Sequence, residues 1–188
     1  MDSLATVREG AQLALHELAR ASADIEWDPW EALPDLILDS ARIFAVGNGR
    51  SGLALRMGAM RLMHLGRTIY VVGETTTPAI GQGDLLLAVS GSGSTHGTLH
   101  AAQTAAKREA AVAAITADAS SPLAQVASHV LLVPGAVKTD RSGDVSGQYA
   151  GTLFEQMTLV LLDSVFYALW KKSGQSADEL YARHGNLE

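Results

Sequence analysis

The chain has no cysteine, which excludes a disulfide framework and the small bridge-stapled folds of oxidising compartments. It also lacks a surplus of positive charge: 14 Lys and Arg stand against 20 Asp and Glu, giving a formal net charge of −6. Nucleic-acid binders draw much of their affinity from clustered cations, so that class of partner is not expected. Long apolar runs are missing as well. Ile43-Phe44-Ala45-Val46 and Leu85-Leu86-Leu87-Ala88-Val89 are bounded by Gly, Asp or Ser and fall well short of a membrane span. The N-terminus, Met1-Asp2-Ser3-Leu4, carries acid early and has no basic stretch running into an apolar one. The expectation is a cytoplasmic chain without a secretory leader, an internal repeat or a low-complexity tract.

What is present suffices for one compact domain. The chain has 188 residues, of which 47% are hydrophobic, enough to bury a substantial core. Apolar residues at helical spacing predict a helix from Ser3 to about Ala23, and a second helix is expected up to Leu38. From Arg42 the pattern alternates. Strands are predicted at Arg42 to Val46, Thr68 to Val72, Asp84 to Val89, Ala111 to Ile115 and His129 to Val133. Helices are predicted at Ser51 to Leu65, Thr95 to Arg108 and, in shorter form, Pro122 to Ala127. Strand–helix–strand order with nearly continuous apolar strands implies an α/β three-layer sandwich around a five-stranded parallel sheet, because right-handed crossovers place helices on both faces. Residues 134–151 read as a functional or mobile connection, followed by a long helix at Thr152 to Lys172 and a capped turn from Ser176. One domain therefore divides into N-terminal helices (3–38), an α/β core (42–133) and a loop with C-terminal helices (134–188).

Two loops follow strands directly: Gly47-Asn48-Gly49-Arg50-Ser51-Gly52 and Ser90-Gly91-Ser92-Gly93-Ser94-Thr95. Both fall at carboxyl ends of strands, the edge where open parallel sheets bind ligands. Glycine lets the backbone approach an oxyanion, and Ser or Thr hydroxyls beside orphan helix amides add donors, so the natural occupant is a phosphate. The first loop alone also matches the dinucleotide pattern G-x-G-x-x-G, with Glu74 as a ribose-binding acid. The hydroxyl density of the second loop argues against that alternative. Turns and helix caps explain either loop singly, but both together poorly.

These loops resemble those of the sugar isomerase (SIS) family, a flavodoxin-like fold. More specific strings resemble its 6-phospho-3-hexuloisomerase branch: Arg61-Leu62-Met63-His64-Leu65-Gly66, Val72-Gly73-Glu74-Thr75-Thr76-Thr77-Pro78, Gly151-Thr152-Leu153-Phe154-Glu155-Gln156 and Arg183-His184-Gly185-Asn186-Leu187-Glu188. The resemblance runs from about Arg42 to the end of the chain. It implies a homotetramer, no metal or organic cofactor, and interconversion of a 3-hexulose 6-phosphate with fructose 6-phosphate, a step of formaldehyde assimilation. Gln148-Tyr149-Ala150 stands where the family often has Pro-Met before the glycine. Another sugar-phosphate isomerase, acting on arabinose 5-phosphate or a heptose phosphate, and a non-catalytic sugar-phosphate sensor remain as alternatives.

Moving a ketone from C3 to C2 requires a base at C2 and a proton carrier between the enediol oxygens. Glu155, in the first turn of the long helix, is the candidate base; its plain reading is an acid complementing the helix dipole. His184 is the favoured second carrier, reaching a neighbouring subunit's site, with His64 as its rival. Arg50 is expected on substrate phosphate or hydroxyls, and Thr75 beside the sugar unless it only forms a turn. His96 and His100 share a helix face, but without a third ligand they predict no metal site.

Overall fold

A computed structural model describes residues 6–135 and 142–187. The expected starts of the first helix at Ser3 and the end of the tail motif at Glu188 lie outside them, as does the stretch 136–141 of the long connection. In chain order the elements are α1 (Val7–Ala23), α2 (Trp27–Asp39), β1 (Ile43–Gly47), α3 (Gly49–His64), β2 (Ile69–Val71), β3 (Leu85–Val89), α4 (His96–Lys107), β4 (Ala111–Thr116), α5 (Pro122–Val126), β5 (His129–Leu132), α6 (Thr152–Ser173) and α7 (Ala177–Tyr181). Each falls within a few residues of its expected place. Trp27 starts α2 two residues ahead of Pro29, where a missing N–H costs nothing in a first turn.

The five strands are parallel in the order β2-β1-β3-β4-β5. Strand order reverses between β1 and β3, so a crevice opens at their carboxyl ends. Alternation along the strands splits the core in two. Ile43, Ala45, Leu85, Leu87, Val89, Ala113, Ile115 and Leu131 point toward α2, α3 and α6, whereas Phe44, Val46, Leu86, Ala88, Val112 and Ala114 meet α4 and α5. Both faces of the sheet are apolar because both are covered, which is why the strands read as unbroken apolar runs. Each fully buried Leu, Ile or Phe contributes about 1.5–3 kcal/mol relative to exposure.

α6 has the length and mean hydropathy of a membrane span, yet half of it is buried against α1, α2 and α3. Its end is marked by Gly174 in the left-handed region (φ +67°), and Ser176 then opens α7 with a capping box to Glu179. Arg183 ties this tail back to the core by donating from Nη1 to the His64 carbonyl at 2.9 Å.

Candidate active site

β1 passes into α3 with almost no connection, and the close packing is visible at Gly52. A Cβ there would sit 2.3 Å from the Gly47 carbonyl oxygen, so only glycine lets the first turn of α3 lie on the strand end. The second loop has a comparable constraint. Gly93 adopts φ +57°, and a Cβ on it would fall 2.1 Å from Ser121 Oγ, because the loop is pressed onto the start of α5. Leu123 N–H donates to the Gly93 carbonyl at 2.9 Å and Ala117 N–H to that of Gly91 at 3.1 Å, fixing the turn against β4 and α5.

Three helices start at this rim, and in none does the capping residue's own side chain satisfy the first amides. Asn48 caps α3, Thr95 caps α4 and Gly151 caps α6, all without a side-chain cap bond. Asn48 instead accepts from Thr98 Oγ1 at 3.4 Å, tying the first loop to the first turn of α4, while Ser90 Oγ donates to Thr95 Oγ1 at 3.0 Å. Orphan amides and positive dipole ends thus face one small cleft, open to solvent and lined by Asn48, Ser51, Val89, Ser90, Gly91, Ser92, Thr95, Gly151, Phe154 and Glu155. Such a setting favours an anion. Ser51 and Ser90 are buried, and Ser94 bonds Ser92 through Oγ at 3.1 Å, holding the hydroxyls as a group.

Glu155 projects from the first turn of α6 into this cleft with its side chain 8% exposed, and Arg50 Nε donates to its Oε2 at 2.5 Å. The carboxylate and its counter-charge therefore bridge the first loop and α6. Of the residues singled out in the sequence, Asn48, Ser51, Ser90, Gly91, Ser92, Thr95 and Glu155 line the cleft; Gly47, Gly49, Arg50, Gly93 and Ser94 are their loop neighbours.

The remaining three lie elsewhere in the chain. Thr75 is exposed in a turn where the Glu74 N–H bonds the Val71 carbonyl and Thr77 Oγ1 does the same at 2.6 Å, and it does not line the cleft. His64 ends α3, roughly 22 Å along the helix axis from the first loop. His184 stacks on it with ring centroids 4.4 Å apart, so both histidines stand at the opposite end of α3 from Glu155 of the same chain. His64 is buried, and its Nε2 has no hydrogen-bond partner among the described residues. Burial, and then the nearby His184 and Arg61, depress its basicity below the ordinary histidine value.

Sequence reasoning did not single out Phe154, whose ring supports Gly91 and whose backbone packs under Gly135, or Thr98, which links α4 to the first loop. Both are inward-facing positions of helices, which look like ordinary core in a sequence.

Comparison with known proteins places the chain in a family. The SIS domain model matches residues 36–163. A 3-hexulose-6-phosphate isomerase from Mycobacterium gastri is 47% identical over 97% of this chain and 92% of its own length, and one from Bacillus subtilis is 38% identical over 93% and 95%. A crystal structure from Methanococcus jannaschii, whose described function is inferred to be that of a 3-hexulose-6-phosphate isomerase, superposes with a TM-score of 0.81 at 33% identity, covering 96% of this chain and 99% of that one. The chain belongs to the SIS domain family, within its 3-hexulose-6-phosphate isomerase group.

Proposed function

We propose that the protein interconverts D-arabino-hex-3-ulose 6-phosphate and fructose 6-phosphate through a cis-enediol. The observation that supports this most is the meeting of three uncapped helix starts, a cluster of hydroxyls and a paired carboxylate in one cleft at the strand-order reversal. The amides and the Ser90–Thr95 hydroxyls hold the phosphate. Glu155 takes the proton from C2 and returns it at C3, so that the double bond passes from C3=O to C2=C3 and on to C2=O. Arg50 spends Nε on Glu155 and turns the rest of its planar fork to the sugar oxygens.

A 3-ketose esterified on O6 cannot close the usual five-membered ring, since that oxygen is no longer a free hydroxyl. The substrate binds open-chain, and a ring-opening acid is needed only when fructose 6-phosphate is the reactant. The second proton carrier is His184 supplied by another copy of the chain in a homotetramer, because the same chain holds it at the far end of α3. No metal or organic cofactor takes part in this reading. The protein acts in the cytoplasm in formaldehyde assimilation.

The test is an isomerase assay on the 3-hexulose phosphate with EDTA present, followed as fructose 6-phosphate formation. Turnover is expected. Turnover of arabinose 5-phosphate or a heptose phosphate in its place, or binding without any turnover, would replace this reading.

A further inference from the structure

α1 is unusual for a docking helix: of its described residues only two are buried, Ala21 and the carboxylate Glu17, which is 3% exposed. Burying a carboxylate is costly unless its oxygens are bonded, so an apolar residue would serve mere docking better. Both oxygens are taken up by the segment that leads into α6. Ser146 Oγ donates to Glu17 Oε2 at 2.6 Å, Gln148 Nε2 donates to the same oxygen at 2.9 Å, and the Gly147 N–H donates to Oε1 at 2.7 Å. One helical turn further on, Arg20 Nη2 donates to the Val145 carbonyl at 2.6 Å. Four successive residues, 145–148, are thus pinned to one face of α1.

From these contacts we infer that Glu17 is a positioning residue for Glu155, an inference that rests on the isomerase reading of the cleft. The chain enters α6 through Gln148-Tyr149-Ala150-Gly151 without regular structure, and Ala150 holds φ +51°, a conformation that L-residues adopt only when their surroundings impose it. Gly151 supplies no cap, and the Thr152 hydroxyl and N–H both donate to the Tyr149 carbonyl within the same turn, at 2.6 and 3.3 Å. The segment therefore takes its position from α1. α1 itself is fixed because it packs along α6, with Leu18 set against the main core. The carboxylate closes a triangle: α1 rests on α6, Glu17 holds the entering segment, and the segment sets where α6 begins and hence where the Glu155 carboxylate stands. Burial pushes the Glu17 carboxyl up, but the bonds from Ser146, Gln148 and Gly147, with the nearby Arg20 charge, outweigh it and leave it below the usual glutamate range. Among the described residues, the charge acting on it is that of Arg20 on α1.

The experiment compares the wild-type chain with Glu17→Gln, Glu17→Asp and the segment-side double variant Ser146→Ala/Gln148→Ala, which leaves α1 intact. Glu17→Gln places an amide group against donors, and kcat on the 3-hexulose phosphate is expected to fall roughly ten- to hundredfold, with KM changed less than about threefold. Glu17→Asp should recover part of the loss, and the double variant should reproduce it. Hydrogen exchange at the 145–148 amides should speed up in both defective variants while the α6 interior stays protected. Wild-type kcat and unchanged exchange in the double variant would overturn the inference, as would a loss confined to KM. A wild-type chain without isomerase turnover would remove the isomerase reading and the catalytic part of this inference together, while exchange at 145–148 would still decide whether Glu17 holds the segment.

Discussion

Arg50 and Glu155 are 105 residues apart and joined by a 2.5 Å bond between Nε and Oε2, with the arginine side chain 63% exposed and the carboxylate nearly buried. The exposed partner lies at the mouth of the cleft and the buried one inside it, an order that suits an incoming anion meeting the guanidinium first.

Replacing Glu155 by Gln keeps the shape and removes the proposed base. We expect kcat to fall by about 10²–10⁴-fold. Fructose 6-phosphate binding, measured by titration calorimetry, should stay within a few-fold of wild type, because the proposed phosphate grip uses amides and hydroxyls.

Arg50→Ala and Arg50→Lys test the counter-charge. Loss of one charge-assisted bond corresponds to roughly a ten- to hundredfold fall in kcat/KM. Lys should recover little of it, since a point charge lacks the planar fork. The melting temperature should hardly move, because most of the arginine is in solvent and a solvent-screened pair contributes little to stability.

Gly52→Ala should destabilise the fold by about 2 kcal/mol or more, read as a lower urea midpoint, since the new Cβ meets backbone and not a yielding side chain. Gly10→Ala in α1 is the opposite case. None of the described residues lies within 4 Å of the added carbon, so helix propensity alone should raise stability by about 0.5–1 kcal/mol.

His64 makes stability depend on pH. Its folded-state basicity is depressed by burial and by His184 and Arg61, so below about 6.5 the unfolded chain binds a proton that the folded chain resists. Stability therefore falls as pH drops through the ordinary histidine range and recovers above it. His64→Gln should flatten the melting temperature between about pH 7.5 and 5.5; an unchanged slope would mean that another group governs it.

Most of the fold was legible because its signals are local. Leu85 to Val89 is apolar throughout because both sides are covered, and Ser121-Pro122 or Ser176 with Glu179 announce helix starts within four residues. The two loops were legible for the same reason: glycine and serine stand at strand ends. Pairings across the chain were not. Arg50, Glu155, His64 and His184 each stood out, but neither the ion pair nor the ring stack follows from spacing. Glu17 gave no warning. On a helix rich in charge it reads as solvated surface, and its three donors come from residues more than 125 positions away. Thr75 stood out as a polar residue after a strand, where the local turn to Val71 accounts for its neighbours.

The convergence of three uncapped helix starts has a consequence for inheritance. The proposed grip of main-chain amides would survive almost any replacement of side chains, provided the glycines that permit the turns persist. Lineages sharing this scaffold can then exchange one phosphorylated carbohydrate for another by redrawing the opposite lip, without having to reinvent how the ester is held.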